Sequence, residues 1–129
     1  MHNYADFPTM ELVGEAFDNV KALGLRIRVS EMDIGIDDDT DKSLNAQAET
    51  TAKTMKTLIG FSDQLEAVQF WGLTDDMSWR NDEYPLLFDG NGCPKPAFWA
   101  ACYPEPFMLG SEISDLWPSL FNKAELSSP

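Results

Sequence analysis

The stretch Leu25–Ile36, LRIRVSEMDIGI, decides how the rest of the chain is read. Leu25, Ile27 and Val29 alternate with Arg26, Arg28 and Ser30, the period of two expected of a strand. Glu31 and Asp33 continue the odd positions, so both carboxylates are expected on one face. They stand where the strand gives way to an acidic loop, Asp37–Asp41. Carboxylates at the C-terminal end of a strand flanked by helices sit where α/β folds place their chemistry. The same pattern also fits a plain acidic strand end, solvated or capping the next turn.

The flanks make the strand part of a repeating pattern. Upstream, Thr9 is a good N-cap for a helix running to Leu23, with Leu12, Val13, Ala16, Phe17, Val20 and Leu23 on one stripe. Gly24 stops it, because glycine adopts the left-handed conformation cheaply. Met1–Pro8, MHNYADFP, reads as the end of an element that starts further upstream. Downstream, Asp37, Asp39 and Asp41 have the spacing that opens an EF-hand loop. Lys42 stands where that loop needs Gly and Ala48 where it needs Glu, so the calcium reading fails. A second helix is expected from Ser43 to Ile59, burying Leu44, Ala48, Ala52, Met55, Leu58 and Ile59. Ala67–Thr74, AVQFWGLT, reads as a strand buried on both faces. Strands alternating with helices argue for a parallel sheet, open or closed. Asp75–Gly92 is a long loop, and Pro96 starts a short helix, Ala97–Cys102, that Pro104 and Pro106 are expected to end. The remainder is acidic and Ser-rich, with one apolar cluster of Ile113, Leu116, Trp117, Leu120 and Phe121, readable as a short helix or as a tail.

With 129 residues, the chain suffices for one small domain. A formal net charge of -13 argues against nucleic acid and anionic membrane surfaces as partners, and permits a neutral polysaccharide. No apolar run is long enough to span a membrane, and no signal peptide is visible at Met1. Cys93 and Cys102 are the only cysteines, and their spacing leaves pairing open.

Trp71 in the second strand and Trp79 in the long loop read on their own as core or rim packing. Flat aromatic faces also stack on the apolar faces of sugar rings. Here they accompany Asp75, Asp76 and Arg80, groups suited to hydroxyls. With Glu31, the picture is a carboxylate beside an aromatic-walled groove, the chemistry of glycoside hydrolysis.

Three stretches then carry a resemblance. RVSEMDI is similar to the nucleophile motif of the family 10 glycoside hydrolases, mostly endo-β-1,4-xylanases. QFWGLTDDMSWR and PLLFDGNGCPKPAFWA resemble the closing part of that family, in its order. The resemblance implies an α/β fold: a partial (β/α)8 barrel from the end of strand six through helix eight, in residues 1–103, with 104–129 as a tail or linker. It implies retaining chemistry on xylan or xylo-oligosaccharide, without cofactor or metal. Glu31 would be the nucleophile. Asp33 and His2 would form a hydrogen-bonded chain to it. Trp71 and Trp79 would wall the sugar site, with Arg80 beside them. The parent enzyme would be extracellular.

A complete barrel takes about 250 residues. The family's acid residue lies in an Asn-Glu motif on the fourth strand, and nothing in this sequence matches it. The chain alone is therefore expected not to hydrolyse xylan, and to self-associate or pair with a complementary N-terminal half. A different reading is a non-catalytic carbohydrate-binding module that stacks sugars on Trp71 and Trp79. One difficulty stands: strict alternation sends Arg26 and Arg28 towards the outer helices, opposite Glu31, unless their stems snorkel or a bulge shifts the parity.

Overall fold

The computed structural model describes residues 1–6 and 8–108. Three strands, β1 (His2–Tyr4), β2 (Ile27–Gly35) and β3 (Leu65–Phe70), form one parallel sheet in the order β1-β2-β3. Helix α1 (Met10–Ala22) joins β1 to β2, and α2 (Asp41–Ile59) joins β2 to β3. After β3 come two short 3-10 turns, Asp75–Met77 and Asn81–Glu83, then α3 (Pro96–Cys102) and α4 (Pro104–Met108). Among the described residues, no helix is long and apolar enough to cross a membrane.

Local chemistry sets the helix ends. The Thr9 hydroxyl accepts from the Leu12 amide at the start of α1. At its end the Gly24 amide reaches the Lys21 carbonyl and the Leu25 amide reaches that of Val20, a Schellman pair made possible by Gly24 at φ 68°. Helix α2 starts two residues earlier than its apolar pattern implies, because Thr40 is its N-cap and accepts from the Ser43 amide. Hydrogen bonds from Ser43 and Thr40 hold the Asp38 carboxyl beside this cap below its usual range. Thr40→Ala is expected to destabilise the chain by about 1 kcal/mol in a urea melt, the usual worth of such a cap.

The core lies between the sheet and its helices. Val29, Met32 and Ile34 of β2 pack with Leu58 of α2, and Phe17, Met55, Leu65, Val68 and Phe70 close around them. Each such side chain contributes roughly 1.5–3 kcal/mol when fully buried. The stripe of α1 is narrower than its sequence suggests: Val13 is buried, but Leu12 and Leu23 are exposed. Among the described residues, α2 is the element that α1 packs against most. Ile59 is likewise exposed.

Helix α2 is covered on two sides, by the sheet and by α3 and α4, so it also buries Gln47, Thr50, Thr51 and Thr54. Two of these threonines are satisfied within the helix, Thr51 donating to the Gln47 carbonyl and Thr54 to that of Thr50, while the Thr50 hydroxyl donates to the Ala5 carbonyl after β1. Ala48 and Ala52 form the seat for Ala100 and Phe107. Pro104 does not end the fold. It opens α4, because the first turn of a helix needs no proline amide. The cluster from Ile113 to Phe121 lies outside the described residues.

Strand β3 is shorter than the apolar run that announced it. It stops at Phe70, and it is half-buried rather than buried on both faces. Gly72, at φ 139°, turns the chain away from the sheet, and Leu86 packs into the space its missing side chain leaves.

The parity difficulty is resolved by an irregularity in β2. Arg28 pairs with Ala67 and Val29 with Val68, but Met32 pairs with Phe70, so β2 carries one residue more than β3 across this step. Val29 and Met32 consequently share the helix-side core despite their odd and even numbers. Glu31 and Asp33 fall on the opposite face, with Arg28. Energy decides for the bulge. Strict alternation would save a ladder hydrogen bond worth about 1 kcal/mol. It would take Met32 and Ile34 out of the core, a loss of roughly 3–6 kcal/mol.

Candidate functional site

The sheet face opposite the core gathers most of the residues singled out from the sequence. His2 pairs with Asp33 in the β1–β2 register, which sets their side chains side by side. His2 Nδ1 lies 2.7 Å from Asp33 Oδ2, and His2 Nε2 lies 3.4 Å from Glu31 Oε2. Asp33 is completely buried, whereas the Glu31 side chain is 42% exposed. The three side chains thus form a chain from a buried carboxylate through an imidazole to an open one.

Trp79 arrives from the loop after β3. Its indole Nε1 donates to Asp33 Oδ2 at 3.1 Å, and its ring meets the His2 ring edge-on, with centroids 5.1 Å apart. The rest of the indole stays open, 64% exposed. Trp71 stands one residue past β3. Its amide donates to the Met32 carbonyl, which fixes its backbone beside β2, and its side chain is half-exposed.

Arg80 departs from the expectation that set it among the sugar-facing groups. Its guanidinium is buried and turned inwards. Nη1 donates to Asp33 Oδ1 at 2.5 Å and to the Asn3 carbonyl at 3.2 Å, and Nε donates to Glu83 Oε2 at 2.6 Å. The Tyr4 ring covers it, 4.6 Å from guanidinium carbon to ring centroid. Burial disfavours the charge, but the bonds and charges of Asp33 and Glu83 outweigh that and raise its pKa. With Nε and Nη1 committed, Nη2 in ion contact with Glu83 and Tyr4 over its face, it serves Asp33 rather than a ligand.

Asp75 also turns inwards. It is buried, accepts from the Leu86 amide at 2.7 Å and pairs with Lys95 Nζ at 2.9 Å. Lys95 donates its other bond to the Tyr84 carbonyl. Burial lowers the Lys95 pKa, only partly offset by Asp75 and Asp89. Gln47 of α2 ties the same loop to β2 by donating to the Ile34 and Tyr84 carbonyls, each at 2.7 Å. Asp76 stays outside, accepting from the Thr74 hydroxyl.

Sequence reading missed Tyr4, Gly35, Gln47, Glu83 and Lys95. Only Glu83 had a usable signal, its three-residue spacing from Arg80 on a short turn. Cys93 and Cys102 are free thiols.

The family model for glycosyl hydrolase family 10 matches residues 1–103. A β-1,4-xylanase of Dictyoglomus thermophilum is 30% identical over 110 residues, which cover 72% of this chain and 31% of that protein. An endo-1,4-β-xylanase of Geobacillus stearothermophilus is 30% identical over 109 residues, 71% of this chain and 33% of that protein. Among solved structures, the GH10 protein of Paenibacillus barcinonensis matches with a TM-score of 0.77 at 31% identity, covering 83% of this chain and 35% of that one. The intracellular xylanase TsXylA of Thermoanaerobacterium saccharolyticum, solved as a point variant with xylotetraose, gives 0.74 at 29%, covering 78% and 32%. The chain spans about a third of the length of these relatives. Its three parallel strands and their helices are a partial (β/α)8 barrel, and the chain belongs to glycosyl hydrolase family 10.

Proposed function

We propose that this chain is the nucleophile-bearing part of a retaining endo-1,4-β-xylanase. Glu31 attacks the sugar's anomeric carbon and forms a covalent glycosyl-enzyme, which water then hydrolyses. Asp33 and His2 fix its orientation, and Trp71 and Trp79 wall the sugar site. The observation that carries this reading is the convergence of His2, Glu31, Asp33 and Trp79 on one sheet face.

The leaving oxygen needs a proton from a second carboxyl group about 5–5.5 Å from the nucleophile. Asp33 is a poor donor, since it is buried and already accepts from His2, Trp79 and Arg80. Glu83 is held by Arg80. The acid is therefore supplied by a complementary N-terminal barrel segment, which also covers the open face of the sheet. The purified chain is expected to release no reducing sugar from xylan above a protein-free blank. Hydrolysis that disappears in Glu31→Ala would refute the partition of roles.

A second reading has an observation of its own, the exposed indoles of Trp71 and Trp79. A binding module built on them retains xylo-oligosaccharide in Glu31→Ala and loses it in Trp79→Ala. Calorimetric titration of both variants separates the two readings.

A further inference from the structure

Arg80 stands between two carboxylates, and its division between them determines what is left for His2. One edge of the guanidinium, Nε and Nη2, faces Glu83 Oε2. The remaining nitrogen, Nη1, reaches Asp33 through Oδ1 alone. Asp33 Oδ2 is thereby free to take both His2 Nδ1 and Trp79 Nε1. This is not the usual outcome. An arginine facing a carboxylate tends to take both oxygens through two parallel bonds. Here Glu83 occupies the edge that such a grip needs.

The backbone makes room for the arrangement at one place. A Cβ at Gly35 would lie 2.6 Å from Arg80 Nη2 and 2.8 Å from Glu83 Oε2. Gly35 has no left-handed backbone among the described residues, so space rather than backbone freedom calls for glycine here. The loop is also pinned locally, since the Ile36 amide donates to the Glu83 carbonyl at 2.8 Å.

We propose that Glu83 and Gly35 are positioning residues for the Asp33–His2–Glu31 chain. Glu83 confines Arg80 to a one-oxygen grip on Asp33, and Gly35 leaves the space in which that grip forms. Without Glu83, the freed guanidinium edge turns onto Asp33, takes Oδ2, and deprives His2 Nδ1 and the Trp79 indole of their acceptor. The catalytic consequence rests on the proposed role of Glu31, but the arrangement itself does not need turnover to be observed.

The test uses the histidine as reporter. His2 is the only histidine in the chain, so its ring signals need no assignment. Ring nitrogen–proton NMR of the full chain is expected to show an Nδ1 proton protected by its bond to Asp33. Glu83→Ala and Gly35→Ala are each expected to lose that signal. Glu83→Gln is expected to keep it, because the amide oxygen still accepts from Arg80 Nε. Retention of the signal in both Glu83→Ala and Gly35→Ala overturns the proposal, as does its loss in Glu83→Gln. Should Glu83→Ala fail to fold, Glu83→Asp decides by the same signal, since its carboxylate falls one methylene short of the fork. In a barrel completed by an upstream segment, Glu83→Ala is expected to lower kcat with KM held within about twofold, as for loss of a transition-state contact. The NMR result without any hydrolysis by that barrel would leave the grip standing and refute the functional reading instead.

Discussion

A barrel made by joining residues 1–108 of this chain to the upstream two-thirds of a xylanase relative is expected to hydrolyse xylan. Glu31→Ala in that barrel is expected to cut turnover about 10⁴-fold or more, the scale on which removal of a nucleophile acts in other hydrolases. Two features of this chain support so large an effect. Of the two carboxylates that His2 meets, Glu31 is the open one, with 42% of its side chain exposed against none for Asp33. Its neighbour Asp33 cannot replace it, because three donors and complete burial hold that carboxylate in place. Reducing-sugar assay of the two hybrids reads the difference directly. A loss of less than tenfold would assign the nucleophile elsewhere.

The second large effect concerns stability. Lys95→Met is expected to destabilise the chain by about 3 kcal/mol or more, because it strands Asp75 as a buried, unpaired carboxylate. The lesion also removes the Lys95 bond to the Tyr84 carbonyl, which ties the loop after β3 to the start of α3. The added change Asp75→Asn keeps an acceptor for the Leu86 amide and removes the stranded charge, so the double variant is expected to recover more than half of the loss. The pH dependence has a definite sign. Because burial lowers the Lys95 pKa, the unfolded chain binds the extra proton between the lowered folded value and the ordinary value near 10.4. Wild-type stability therefore gains a contribution from this group as pH rises through that window, and Lys95→Met lacks it. Urea melts of the three proteins at two pH values measure both claims.

Much of this was legible in residues. The alternation of Ile27 to Ser30 and the caps at Thr9 and Gly24 marked the helix–strand order, because local pattern and tertiary burial agree at Ile27, Val29 and Val13, whereas Leu25, Leu12, Leu23 and Ile59 kept the apolar pattern but stayed exposed. Glu31, Asp33, His2 and Trp79 were nameable because their motifs are local in sequence, and the fold brings them onto one face. What was not legible depends on contacts between distant segments. The bulge before Met32 comes from fitting β2 against β3, which no count along β2 alone reveals. Strand β3 ended early because Leu86 claims the space over Gly72. Gln47, Thr51 and Thr54 lie outside the apolar stripe of α2, and their burial depends on backbone carbonyls that accept from them. Arg80 was read outwards because arginine beside tryptophan suits a sugar, and only the approach of β1, with Tyr4 and Asn3, turns it inwards.

The most direct test is covalent trapping. A 2-deoxy-2-fluoro xylobioside with a dinitrophenolate leaving group needs no general acid for its departure, and its glycosyl-enzyme breaks down slowly. Incubated with the completed barrel, digested and weighed by mass spectrometry, it is expected to leave one sugar adduct on the peptide that contains Glu31. An adduct on any other carboxylate, or none in a barrel that hydrolyses xylan, would contradict the assignment of Glu31 as the nucleophile.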